Sequence, residues 1–192
     1  GQGLPPRLRG YLALAAIFAL ANSTDAFLLL KAREAGVSAS ALPLLWFLHH
    51  VVKTAAGLPG GALSDRVRRG AVVAGGWAAY AIAYAGLAVA RTPWQIAGLF
   101  AFYALYHGLA EGAERALVAD LAPAGARGRA FGWYHGVVGA AALPAGLLTG
   151  ALWQRHGSAA ALGTSAGIAA LAAVLLALSP LVRRPAADVA SP

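Results

Sequence analysis

Six apolar stretches of about 20 residues recur along this chain, each long enough to cross a hydrocarbon core of about 30 Å as a helix. They fall at about 10–30, 41–63, 71–90, 94–119, 130–153 and 159–182. Short breaks separate them: KAREAGVSAS at 31–40, SDRVRRG at 64–70, RTP at 91–93, LAPAGARGR at 121–129 and QRHGS at 154–158. Inside a bilayer no water satisfies the backbone, so spans of this kind must be helical, and the pattern predicts an all-α polytopic bundle of six transmembrane helices. Composition points the same way. Charged residues are 11% and hydrophobic residues 59% of the 192 positions, whereas soluble domains carry about 25% charged. Fifteen Lys and Arg with seven Asp and Glu cannot clothe a soluble domain of this size, but a lipid-facing surface needs no such cover.

The formal charge of +8 raises the question of nucleic acid, yet the positions of the basic residues answer it. Arg7, Arg9, Arg66, Arg68, Arg69, Arg127, Arg129, Arg183 and Arg184 all fall on one side of the predicted bundle. Lys31, Arg33, Arg91 and Arg155 fall on the other, and Lys53 and Arg115 lie within apolar segments. By the positive-inside rule the first side is cytoplasmic, which places both termini inside and requires an even number of spans. No nucleic-acid partner is expected. The chain then divides into a cytoplasmic segment or linker at 1–9, a transmembrane domain at 10–182 and a cytoplasmic tail at 183–192. There is no Cys, so disulfides and thiolate metal sites are excluded. There is also no Met, which is expected of a fragment or processed product whose first residues, Gly1 to Pro6, serve as linker.

GALSDR at 61–66 closes the second stretch and GALWQR at 150–155 closes the fifth, with Leu58-Pro59 and Leu143-Pro144 ahead of them. An odd number of spans separates the copies, so the second inserts upside down. This predicts an inverted three-plus-three repeat, with halves at about 10–90 and 94–182. Pairs at GxxxG spacing, Gly57/Gly61, Gly132/Gly136, Gly146/Gly150 and Gly163/Gly167, are expected at close helix crossings. Pro59 and Pro144 are expected to interrupt their helices locally.

The segment GGALSDRVRRG at 60–70 resembles the major facilitator signature G-x-L-[SA]-D-R-x-x-R-[RG], matched by Gly61, Leu63, Ser64, Asp65, Arg66, Arg69 and Gly70. LANSTDAFLLLKARE at 20–34 and ERALVADLAPAGARGRAFGWYHGVVGAAALPAGLLTGALWQRHG at 114–157 look like the seventh helix and the tenth-to-eleventh helix region of efflux-type members of that superfamily. The resemblance spans nearly the whole chain and implies one six-helix half, the C-terminal one, of a twelve-helix secondary transporter. It also implies that Gly61, Asp65, Arg66, Arg69 and Gly70 form a cytoplasmic gating loop. In that loop Gly61 is expected at a close helix crossing and Asp65 as an acceptor for a neighbouring helix N-terminus.

Ionisable side chains within a membrane are costly and are functional candidates for that reason. Asn22 and Asp25 stand three apart on the first stretch, His49, His50 and Lys53 on the second, and His107, Glu111 and Arg115 at i, i+4 and i+8 on the fourth. The resemblance implies that the first and fourth helices line a central cavity. Asn22, Asp25, His49, His50, Lys53, His107 and Glu111 are therefore the expected proton or substrate pathway, with Asp25 and Glu111 as protonation sites. Glu114, Arg115, Asp120 and Arg127 are expected to form an ion-pair network near the cytoplasmic end, while His135 and His156 look peripheral.

Two further patterns are set aside. GTSAG at 163–167 fits the nucleophile elbow of serine hydrolases, but that motif needs a strand-to-helix turn and this one sits in an apolar helix. His107 and Glu111 have the spacing of a helical metal site but no further ligand cluster. Neither an enzyme, a metal nor a cofactor is expected. The expected function is movement of a small solute by alternating access, coupled to protons and directed outward, in a bacterial inner membrane. A membrane assembly module that keeps the fold without transporting is the alternative. Expected partners are the lipid bilayer, the small-molecule substrate, and the missing six-helix half or a second copy of the chain.

Overall fold

The computed structural model describes residues 3–183; Gly1, Arg184 and the rest of the expected tail lie outside the described residues. Among these residues seven α-helices follow in order: α1 Pro6–Ala21, α2 Ala26–Glu34, α3 Leu42–Arg66, α4 Arg69–Val89, α5 Pro93–Leu121, α6 Arg127–Leu178 and the short α7 Pro180–Arg183. No strand occurs among the described residues. At 52 residues, α6 would run about 78 Å if straight, more than twice a hydrocarbon core. Gly157, at φ 83° and ψ 173°, folds it into arms 127–156 and 158–178. That backbone conformation suits glycine because a Cβ would clash with the neighbouring carbonyl. The expected break at 154–158 is thus a single residue wide.

Among the described residues four segments are long and apolar enough to cross a membrane: Pro6–Glu34 across its break, Ala39–Arg66, Arg69–Val89 and the folded α6. The fifth long helix, α5, has 29 residues and ample length. It is less apolar because it carries His107, Glu111, Glu114, Arg115 and Asp120. Its start is fixed by a reciprocal cap, in which the Thr92 hydroxyl accepts from the Gln95 amide and the Gln95 side chain accepts from the Thr92 amide, with Pro93 in the first turn. The end of α2 is closed by Gly36 at φ 90°, where the Val37 amide bonds back to the Ala32 carbonyl and the Gly36 amide to that of Arg33.

The packing follows the order an inverted repeat requires. The first span and the first arm of α6 run side by side in the same direction, with Tyr11 beside Tyr134 near one end and Phe27 beside Trp153 near the other. α3 and α5 likewise run together, His49 against Phe100 and Gly60 against Leu109. Exchanging the first three spans with the last three maps one pair onto the other. α4 packs against both α5 and α6. Its Trp77, Tyr80 and Tyr84 are fully buried and form the aromatic heart of the bundle. Phe18 lies on Trp77 at 4.6 Å, and Tyr80 on Tyr84 at 4.1 Å, centroid to centroid.

The expected glycine crossings are placed elsewhere. A Cβ at Gly57, Gly61, Gly132, Gly136, Gly146, Gly163 or Gly167 would meet nothing within 4 Å: Gly146 opens onto a cavity, and the others lie on exposed faces of the bundle. Close approach is instead made by Gly60 and Gly108, where α3 and α5 cross backbone to backbone. GxxxG spacing identifies a smooth helix face but not what lies against it. The prolines also behave differently from expectation. α3 runs through Pro59 and α6 through Pro144 without a non-helical residue at either. Both lie on exposed faces, where the ring meets no neighbouring helix.

Candidate functional site in the broken first span

The first apolar stretch is two helices rather than one. α1 stops at Ala21 and α2 starts at Ala26, leaving Asn22-Ser23-Thr24-Asp25 outside regular helix. Asn22 and Asp25 therefore do not share a helical face, as their spacing suggested. Four consecutive residues whose short polar side chains compete for backbone hydrogen bonds make the break locally favourable. The Thr24 hydroxyl accepts from the Ala26 amide at 3.4 Å. A freed carbonyl at membrane depth needs a partner, and the Tyr80 hydroxyl of α4 donates to the Ala21 carbonyl at 3.0 Å.

Beside the break lies an open-mouthed cavity of about 660 Å³, walled by Asn22, Thr24 and Asp25 of the break, Trp46 of α3, Tyr103 and His107 of α5, and Val138 and Gly146 of α6. The Tyr103 hydroxyl donates to Asp25 Oδ1 at 2.9 Å, and His107 Nε2 lies 3.0 Å from the same hydroxyl. With the Tyr103 proton directed at Asp25, the Tyr103 oxygen is left to accept from His107 Nε2–H. Asp25, Tyr103 and His107 thus form one hydrogen-bonded chain from α2 into α5.

The chain continues toward charge. His107 Nδ1 is 3.9 Å from Glu111 Oε2, and Glu111 is held by Lys53 Nζ at 2.8 Å and by Arg115 at 2.9 Å. The Lys53–Glu111 pair ties α3 to α5. His49 is buried and packs its ring 5.5 Å from that of His107 and 5.2 Å from that of Tyr103. Trp46 stacks on its other neighbourly side at 5.4 Å, and His49 Nδ1 finds no partner among the described residues. His50 is exposed and meets Trp46 edge to face. His135 and His156 are exposed and distant from this assembly.

Glu114 departs from its expected ion pair. It is buried, and its carboxylate accepts from Trp77 Nε1 at 2.6 Å and from the Tyr134 hydroxyl at 2.8 Å, joining α4, α5 and α6. Its position, three residues beyond Glu111, turns it toward the core while Glu111 and Arg115 share the opposite stripe. Asp120, at the end of α5, does pair, with Arg69 at the start of α4. Arg127 is exposed, with no ion pair among the described residues.

At the Arg-rich end, the start of α1, residues 64–70, residues 117–123 and Leu181 surround a second cavity of about 610 Å³. Arg69 bridges Asp120 and, at 3.9 Å, Asp65, while Arg68 donates to the Val182 carbonyl at 2.8 Å. Gly70 is buried against the Leu181 carbonyl, 2.8 Å from where a Cβ would stand. Asp65 is 74% exposed and, among the described residues, accepts from no helix N-terminus; Arg69, one turn further on, is its partner. Gly61 and Arg66 are exposed.

Sequence reasoning missed Tyr103, Trp77 and Tyr134. For Tyr103 a signal existed, since it extends the stripe of His107, Glu111 and Arg115 back by one turn. Trp77 and Tyr134 had none, because apolar-segment aromatics ordinarily serve as packing. Among the described residues no group of three or more His, Asp or Glu is placed to hold a metal ion. Ser165 of the GTSAG segment is buried within the helical second arm of α6.

Together these features define a multi-pass, all-helical membrane bundle with a polar cavity at a discontinuous helix. The sequence model of the Major Facilitator Superfamily matches residues 11–192, and the chain belongs to that superfamily. It is similar to a protein of Methanocaldococcus jannaschii described as an uncharacterized MFS-type transporter, with 32% identity over 159 residues. That alignment covers 80% of this chain and 40% of the relative, so the chain spans about two fifths of the length of the protein it matches.

Proposed function

We propose that this chain is one half of a secondary active transporter that moves a small solute by alternating access, with proton-coupled efflux as its mode. The observation that carries the reading is the hydrogen-bonded chain Asp25–Tyr103–His107, which borders a cavity at a broken membrane helix. A proton arriving at His107 Nδ1 from the Glu111 side reverses the chain: His107 passes its Nε2 proton to the Tyr103 oxygen as Tyr103 passes its own to Asp25, so that the carboxyl then donates to Tyr103 and Tyr103 donates to Nε2. His107 is left with its one proton on Nδ1, facing Glu111. Each step moves a proton between groups already in contact, without rearranging a helix.

The rest of the site supplies the setting. Lys53 and Arg115 hold Glu111 in place, Asn22 and Thr24 offer hydrogen bonds to a solute, and His49 and His50 flank Trp46. The cluster of Arg69, Asp120, Asp65 and Arg68 serves as a latch that opens and closes one end, on the cytoplasmic side, where both termini lie. A partner body of six helices, either the remainder of a longer protein or a second copy, completes the cavity.

The test is solute-driven proton movement in proteoliposomes carrying a pH-sensitive dye, across a panel of small solutes. At least one solute moves protons in the wild type, and Asp25→Asn and His107→Ala abolish the signal while Lys53→Arg keeps it. Solute movement that proceeds unchanged in Asp25→Asn contradicts the relay. A protein that moves no solute under any gradient supports instead an assembly module.

A further inference from the structure

Resting on the transport reading, we propose that the solute taken by this cavity is an amphipathic organic cation, a protonated or quaternary amine with apolar or aromatic groups. The charge arrangement of the wall carries the inference. Among the described residues Asp25 is the one acidic side chain lining the cavity, and no Lys or Arg lines it. Lys53 and Arg115 are both committed to Glu111, at 2.8 and 2.9 Å. Asp25 Oδ1 accepts from Tyr103, and its second oxygen has no partner among the described residues. A carboxylate at membrane depth without a countercharge is costly, so the site recruits positive charge from what it binds.

The remaining wall suits an apolar body on that charge. Trp46 and Tyr103 offer aromatic surface, which attracts a cation over the ring face. Ala19, Ala26, Ala142 and Gly146 line it with small residues that leave room for bulky substituents. The volume of about 660 Å³ lies within the range of about 300–1,000 Å³ that small organic ligands occupy. An anion would meet Asp25 with no Lys or Arg on the wall to pair with. A neutral polyol would find Asn22 and Thr24 but leave Asp25 uncompensated.

The experiment is equilibrium binding of radiolabelled tetraphenylphosphonium to the chain in nanodiscs, with empty nanodiscs subtracted and tetraphenylborate as the isosteric anion. Tetraphenylphosphonium binds saturably, Asp25→Asn weakens it at least tenfold, Asp25→Glu retains it, and Trp46→Ala weakens it several-fold. Tetraphenylborate shows no saturable binding. Equal affinity in wild type and Asp25→Asn, a preference for tetraphenylborate, or no saturable binding of the cation overturns the proposal. The two readings fail separately. Asp25-dependent transport of an anionic or neutral solute leaves the transporter standing and removes the cation, whereas cation binding without any proton movement keeps the site and removes the coupling.

Discussion

Replacing Gly108 by Ala tests whether the α3–α5 crossing holds the polar site together. A methyl there would meet Ala56 and stand 2.9 Å from the Lys53 carbonyl oxygen and 3.0 Å from the Ala56 carbonyl carbon, against ordinary contact from 3.4 Å. These are backbone atoms, so relief comes only by parting the helices by about 0.5 Å, a gap that forfeits about a quarter of the dispersion attraction of each contact across the crossing. Overpacking of this kind costs about 1–3 kcal/mol. Alanine also gains up to about 1 kcal/mol of helix propensity over glycine, which Gly98→Ala on the same helix measures, since a Cβ at Gly98 meets nothing within 4 Å. The expected result is therefore a difference of about 1–3 kcal/mol between the two variants in reversible unfolding from mixed micelles. Gly108→Ala as stable as Gly98→Ala would refute the crossing, and with it the placement of Lys53 on Glu111 and of His49 beside His107.

Glu114→Gln leaves one of the Trp77 and Tyr134 donors facing an amide N–H₂ in the core, at a cost of about 1–3 kcal/mol. Combined with Tyr134→Phe it should cost less than the sum of the two single changes; strict additivity would mean that the two groups do not meet. Arg69→Ala and Asp120→Ala should each shift stability by less than about 1 kcal/mol, as exposed pairs do. Both should slow solute turnover, and the double variant should match either single one, whereas unaltered turnover in all three removes the latch. Single cysteines at Ser38 and Ala124, both exposed, should react with an impermeant thiol reagent from opposite faces of the membrane. Reaction from the same face would overturn the six-span order.

The bundle was legible because lipid imposes one rule on every span. Length and apolarity marked the long helices, and among the described residues Arg7, Arg68 and Arg69 meet at one end of the bundle. The site was legible as a set of residues but less so as an arrangement. Asp25 was found as a costly carboxylate, yet its partner is Tyr103, a residue whose type carries no charge signal. NSTDAF was read as continuous helix because its neighbours are strongly apolar, although four turn-forming residues in a row argue for the break that the structure has. Glu114 and Glu111 are alike in sequence and three residues apart, but helical rotation sends one to Trp77 and Tyr134 and the other to Lys53 and Arg115. Glycine spacing likewise marked smooth faces, while which face is covered depends on helices remote in sequence.

The absence of cysteine from the chain allows the central claim to be measured with a single reporter, Asn22→Cys, which stands on the cavity wall. Reaction with an impermeant thiol reagent is followed in right-side-out and inverted membrane vesicles, with and without an imposed pH gradient. A cavity that alternates between the two sides predicts reaction from both faces, with the balance shifting when the gradient is applied. Reaction from one face alone, at a rate indifferent to the gradient, would contradict alternating access through this site.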